Sequence, residues 1–332
     1  MPIFSSACAI AVVALIAVHV AIVRLALRMF EYAPPLNADE TAPDFRAEII
    51  NFPTSNSETL AAAYFHHRDR EPVGLILFCH ELGADKWSAM SYCEGLWKAG
   101  FDIFALDFRN HGESDEFVGY EPIHWLTNYE VEDVRAAIDF IAGHSVMGKL
   151  PLQVYGVSRG GGAALVASAE RPAVLSVCTD GAYTTQSMTR LYARRWLTLF
   201  VPAWTARLVP AWHIDMTIAI AWRISQFKRM CRYVHVEHYL SKLRNRRTFL
   251  ISGKRDTYVL PDIAMWIYDS IGGDERTLWI VPQAKHNQAR SVAKEQYDER
   301  LVSFFTVGLP AAQALGRESS IDLRTIRLRE SA

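Results

Sequence analysis

This 332-residue sequence has almost no net charge: 35 lysines and arginines stand against 36 aspartates and glutamates, a formal −1 at pH 7. No overall field therefore draws it to nucleic acid or to any other polyanion. Cysteine is scarce. The five (Cys8, Cys79, Cys93, Cys178 and Cys231) are odd in number and widely spaced, and no Cys-x-x-Cys occurs. That argues against a disulfide framework and a structural zinc site, and it suits a reducing compartment. No basic residue precedes the first apolar run, and no small-x-small cleavage site follows it. Both omissions count against a secretory signal.

What is abundant is apolar side chain, half of all residues. That is enough to bury a large core in one large α/β domain or two smaller ones. The first apolar run, Ile3 to Val23, is broken only by Ser5, Ser6, Cys8 and His19. About 20 residues at about 1.5 Å each cross the hydrocarbon core of a bilayer, so residues 1–30 read as a single-pass anchor. A cleaved signal or a buried core helix could share this composition. Arg24 and Arg28 flank its C-terminal end, which by the positive-inside rule puts the bulk of the protein in the cytoplasm. Residues 31–44 read as a linker, stiffened by Pro34 and Pro35.

The chain is organised around Leu152 to Ala164. An apolar, β-prone run ends at Gly156, a small-residue run begins after Ser158, and between them Gly156-Val157-Ser158-Arg159-Gly160 fits G-x-S-x-G. A sharp strand-to-helix turn lifts the serine hydroxyl clear of a sheet. Side chains at the flanking glycines would meet backbone there. The free N–H groups of the helix start then face any oxyanion formed at the serine.

Around this motif the rhythm is strand, helix, strand. Ala47–Phe52 and Leu60–His66 read as short strands. Gly74–Cys79 and Phe101–Asp107 read as buried parallel strands, with helices over Lys86–Lys98 and Tyr129–Ile141. Arg247–Ser252 and Arg276–Val281 read as two more strands. This pattern predicts a mostly parallel sheet with helices on both faces.

Four loops add a resemblance. Phe78-Cys79-His80-Glu81-Leu82-Gly83 has the place of an oxyanion loop. Asp107-Phe108-Arg109-Asn110-His111-Gly112-Glu113-Ser114 has the form D-x-R-x-H-G-x-S. The loops at Asp256 and His286 follow the last two strands. With the elbow, these make residues 45–304 resemble the α/β-hydrolase superfamily, in its lysophospholipase-like and serine-aminopeptidase-like branch. The resemblance implies the order serine, acid, histidine along the chain, with Ser158 as nucleophile, His286 as base and Asp256 orienting it. Asp180, also after a probable strand, competes for the acid. The implied oxyanion donors are the backbone N–H groups of Leu82 and Arg159. His80 and His111 read as structural. One departure stands out: Glu81 replaces the usual glycine. It brings a carboxylate close to a developing negative charge unless it turns away or pairs with a cation such as Lys86.

Residues 184–246 form an insert, rich in tryptophan and arginine and broken into short helices by Pro202 and Pro210. It reads either as a cap packed on the core or as a lid in the membrane interface. Residues 45–183 and 247–305 then make up the hydrolase core, and 306–332 a polar tail. The expected protein is a membrane-anchored serine hydrolase acting on a small-molecule or lipid acyl ester or thioester. It needs no cofactor or metal and has no nucleic-acid partner. Acyl transfer by the same residues and non-catalytic ligand binding are the alternatives.

Overall fold

Eight strands form one sheet in the computed structural model, which describes residues 2–32, 41–307 and 309. The Pro34-Pro35 linker and most of the expected polar tail lie outside the described residues. In chain order the elements begin with α1 (Pro2–Glu31), β1 (Glu48–Pro53), β2 (Thr59–Phe65), β3 (Gly74–Cys79), α2 (Ala89–Lys98) and β4 (Phe101–Leu106). Next come α3 (Asn128–Gly143), β5 (Leu152–Val157), α4 (Arg159–Glu170) and β6 (Val174–Asp180). The insert holds α5 (Thr185–Phe200), α6 (Ala203–Ala206), α7 (Ala211–Lys228) and α8 (Glu237–Leu240). The chain closes with β7 (Arg247–Gly253), α9 (Pro261–Ile271), β8 (Arg276–Val281), α10 (Ala289–Val292) and α11 (Lys294–Thr306).

The strand order is β1-β2-β4-β3-β5-β6-β7-β8. β1 and β2 pair antiparallel, β2 runs antiparallel to β4, and every later pair is parallel. β3, β4 and β5 are buried along their whole length, as strands covered on both faces must be. One apolar core packs α3, α4 and α9 on one face, and a second packs α2 and α11 on the other. Cys79 is paired with Gly156, and Val157 with Asp180. The loops after β3, β5 and β6 therefore leave the sheet at one edge, the edge where ligands of open α/β sheets bind.

Local chemistry explains the boundaries. Thr127 caps α3, with the Glu130 carboxylate returning to its backbone N–H at 2.8 Å, a capping box. The predicted helix from Lys86 starts as a single 3-10 turn, Lys86–Ser88, before α2 begins. Pro202 and Pro210 do break the insert, but α5 and α7 are 16 and 18 residues long rather than short. Of the cysteines, Cys79, Cys93, Cys178 and Cys231 are buried and unbonded.

α1 is long and apolar enough to cross a membrane over Ile10–Glu31, and its side chains there are mostly exposed. Its last turn is docked. Phe30 stacks on Trp125 at 5.0 Å, and Trp125 Nε1 donates to the Phe30 carbonyl at 2.8 Å. Glu31 accepts from Ser225 Oγ at 2.8 Å and from Lys228 Nζ at 2.7 Å.

Candidate active site

Ser158 stands between β5 and α4 with φ +51°, a left-handed conformation rare outside glycine. The surroundings hold it there. Its N–H donates to the Asp180 carbonyl at 2.8 Å, and its carbonyl accepts from Gly162 at 3.2 Å. A Cβ on Gly156 would lie 2.5 Å from the Gly160 carbonyl oxygen. One on Gly160 would lie 2.4 Å from the carbonyl oxygens of Cys79 and His80. The two glycines thus let helix, strand and the loop after β3 approach closely.

Ser158 Oγ is 2.9 Å from His286 Nε2, and His286 Nδ1 is 2.6 Å from Asp256 Oδ2. The other Asp256 oxygen accepts the N–H groups of Tyr258 and Val259, each at 2.8 Å. With Nδ1–H donating to the carboxylate, Nε2 is left as the acceptor for the serine proton. Three residues spread over nearly 130 positions thus meet in one line of hydrogen bonds, all of them buried.

Asp180 has a different environment. Its Oδ2 accepts from Tyr297 at 2.9 Å, and Tyr297 is in turn hydrogen-bonded to Tyr155. Burial pushes its carboxyl up to about 7. Of the two candidate acids, Asp256 is the one bonded to His286.

Leu82 and Arg159 both line the cavity over Ser158. The Arg159 N–H, at the start of α4, is one of the donors that have no partner within the helix. The Arg159 side chain is buried: Nη1 donates to the Ile123 carbonyl at 3.1 Å and Nη2 to His111 Nε2 at 2.9 Å. His111 Nδ1 in turn donates to the Arg109 carbonyl at 3.0 Å. Burial and the adjacent guanidinium push His111 down to about 4, so its imidazole is neutral. Burial likewise holds His80 well below the usual imidazole range; its Nδ1 donates to the Glu81 carbonyl at 2.7 Å.

Glu81 is buried and accepts a hydrogen bond from Tyr92 at 2.8 Å. Lys86, suggested by the sequence as its partner, instead binds Asp107. The cation is diverted because Asp107 also takes the Lys86 backbone N–H at 2.6 Å, which fixes that turn against it.

The cavity is about 300 Å³ and mostly apolar. Sequence reasoning missed several of its walls. Met188, Tyr192 and Trp196 line it from α5, and Met29 and Tyr32 from the end of α1. The α5 set is spaced i, i+4, i+8, a helical stripe that was readable in principle. Nothing local to Met29 or Tyr32 reports a cavity more than a hundred residues away. Chemically the arrangement offers an activated hydroxyl, an oriented base, and backbone donors beside an apolar chamber. It is suited to acyl transfer through a covalent intermediate.

A family model described as serine aminopeptidase, S33, matches residues 70–247, more than half of the chain. Among solved structures, an esterase of Pyrococcus furiosus is similar over 83% of this chain and 97% of its own, at 20% identity and a TM-score of 0.60. The esterase domain of a Rhodothermus marinus protein is similar over 78% and 98%, at 21% identity and a TM-score of 0.53. A cold-adapted esterase from an Arctic intertidal metagenomic library is similar over 82% and 99%, at 15% identity and a TM-score of 0.53. No curated protein matches the sequence. The fold is thus the α/β-hydrolase fold.

Proposed function

This chain belongs to the serine aminopeptidase S33 family of serine hydrolases, and from that premise we propose that it is a membrane-anchored esterase cleaving a lipid-derived acyl ester or thioester. The observation that carries the reading is the run of hydrogen bonds Ser158–His286–Asp256 at the floor of an apolar cavity. His286 accepts the Ser158 proton as the hydroxyl attacks the acyl carbonyl. Asp256 holds the imidazole tautomer and stabilises the imidazolium. The backbone N–H groups of Leu82 and Arg159 bind the oxyanion. The protonated His286 then passes its proton to the leaving alcohol or thiol, and water releases the acyl group by the same steps in reverse.

The lining favours an ester over a peptide. An aminopeptidase must hold the ammonium group of its substrate, and no aspartate or glutamate lines the cavity among the described residues. Tyrosine, tryptophan and methionine suit an acyl chain instead. α1 supplies the anchor, and Arg24 and Arg28 at its C-terminal end favour a cytoplasmic catalytic domain.

The test uses a fluorophosphonate probe on the full-length protein, followed by a series of esters of rising acyl length. The reading expects labelling that disappears in Ser158→Ala, and turnover that rises from acetyl towards longer chains. A wild-type protein that the probe leaves unlabelled, or that cleaves aminoacyl anilides faster than any ester, overturns it.

A further inference from the structure

We propose that the tip of the insert, Leu199 to Trp212, is embedded in the membrane surface beside α1, and that the cavity over Ser158 takes its acyl substrate sideways out of the bilayer between α1 and α5. This rests on the membrane-anchored esterase reading and adds to it the route by which substrate arrives.

The first argument is one of length. α1 and α7 lie side by side and run in the same direction. His19 meets His213 with ring centroids 5.3 Å apart, and Glu31 at the far end binds Ser225 and Lys228. From His19 to Glu31, about 18 Å of α1 is docked along α7. What precedes His19 on α1, residues 2–18, measures only about 25 Å, short of the roughly 30 Å of a hydrocarbon core. α1 cannot cross a bilayer unless the membrane reaches down past the level of His19. At that level lie the start of α7 and the segment leading into it. Arg24, the first charge on α1, lies about 7 Å further along the helix, where headgroups would be met.

The second argument is chemical. The tip exposes just the side chains that this depth calls for. Trp204 is 68% and Leu208 is 72% exposed, and Leu199, Phe200 and Trp212 are exposed beside them. Arg207 is exposed in the same segment, and Arg194 and Arg195 are exposed on α5 just before it. Indole and aliphatic groups enter the headgroup–acyl boundary while guanidinium groups meet lipid phosphates.

The third argument is the path. Met188, Tyr192 and Trp196 occupy one face of α5 and line the cavity; α5 then continues to Phe200, at the tip. Met29 and Tyr32 close the same cavity from α1, whose apolar stretch is the bilayer-spanning one. One wall thus leads to the tip of the insert, and a second wall is the end of the long apolar helix. The substrate that fits is an ester with a single acyl chain within reach, drawn chain-first into this cleft with its carbonyl arriving at Ser158.

The experiment uses full-length protein in vesicles of phosphatidylcholine mixed with phosphatidylglycerol. An environment-sensitive fluorophore is attached at Leu208→Cys in a Cys8→Ser background. A matched sample carries it at Leu175→Cys, at the opposite edge of the sheet. Brominated acyl chains should quench the first probe and leave the second unchanged. In parallel, Trp204→Asp with Leu208→Asp should cut hydrolysis of a long-chain ester held in the vesicles by about tenfold or more. Reaction of the same variant with a soluble fluorophosphonate should stay within about twofold of wild type. An unquenched probe at position 208, or an unchanged rate on the vesicle-held ester, overturns the proposal. The quenching needs no turnover, so a wild-type protein that fails to react with the fluorophosphonate counts against the esterase reading alone.

Discussion

The Lys86 ammonium lies 2.7 Å from Asp107 Oδ2, and both side chains are fully buried. Asp107 also accepts the backbone N–H groups of Lys86 and Glu113, at 2.6 and 2.9 Å. Gly112, at φ +54°, packs so closely that a Cβ there would sit 2.1 Å from Oδ2. The D-x-R-x-H-G-x-S loop is therefore a brace that fastens the loop carrying Leu82. Removing one member of a buried pair strands the other charge, which typically costs about 3–5 kcal/mol. Lys86→Ala should lose stability on that scale in urea unfolding. A loss below about 1 kcal/mol would mean that the pair holds nothing.

The identity of the orienting acid can be read from kinetics. Asp256 touches both His286 and the two backbone N–H groups that fix its own position. Asp256→Asn should present the wrong partner to Nδ1 and lower kcat by about 10⁴-fold. Asp180→Asn keeps an acceptor for Tyr297 and should lower kcat by less than about tenfold. If the two effects came out in the opposite order, the roles argued for these aspartates would be reversed.

Much of this was legible in the sequence because the signals are local. β3 and β8 fall at the boundaries read from their apolar runs, and the other strands that were read shift by one residue at one or both ends. The elbow was readable because its glycines and serine answer to backbone geometry within five residues. The choice between Asp180 and Asp256 was not, since one ends β6 and the other follows β7 at the same sheet edge, and only three-dimensional packing turns one towards His286. The partner of Lys86 was missed for a related reason. Glu81 is nearer in sequence, but the turn delivers the ammonium to a carboxylate 21 residues away. Least legible was the end of α1, where membrane-like composition hides Met29 and Tyr32 as walls of the cavity.

Asp180 should leave a signature in stability against pH. Its folded-state carboxyl is raised by burial from 3.8 to about 7, so between those values the folded chain holds a proton that the unfolded chain has lost. Its contribution is therefore fully present below about pH 4 and is lost as pH rises through about 7. His111 and His124, pushed down to about 4 and about 3 by burial, work in the opposite direction. The difference between wild type and Asp180→Asn isolates the aspartate. It should grow from pH 4 to 7, with the variant gaining on the order of 1–3 kcal/mol at pH 8. A difference that is flat with pH would show that Asp180 titrates alike in both states.

Two neighbouring glycines of α4 should respond unequally to one added methyl. In Gly160→Ala the new Cβ meets the carbonyl oxygens of Cys79 and His80 at 2.4 Å, backbone on the approach to Leu82. Backbone cannot rotate away as a side-chain tip can, so the loop must move. The cost in stability should be about 1–3 kcal/mol. The displaced Leu82 N–H should slow fluorophosphonate labelling by about 10²–10³-fold, as loss of one oxyanion donor does. In Gly162→Ala the nearest atom is the Leu126 Cδ2 methyl at 3.2 Å, which can shift by a few tenths of an ångström. That variant should label within about threefold of wild type. Equal labelling rates for the two variants would mean that the loop position set by Gly160 does not govern reactivity at Ser158.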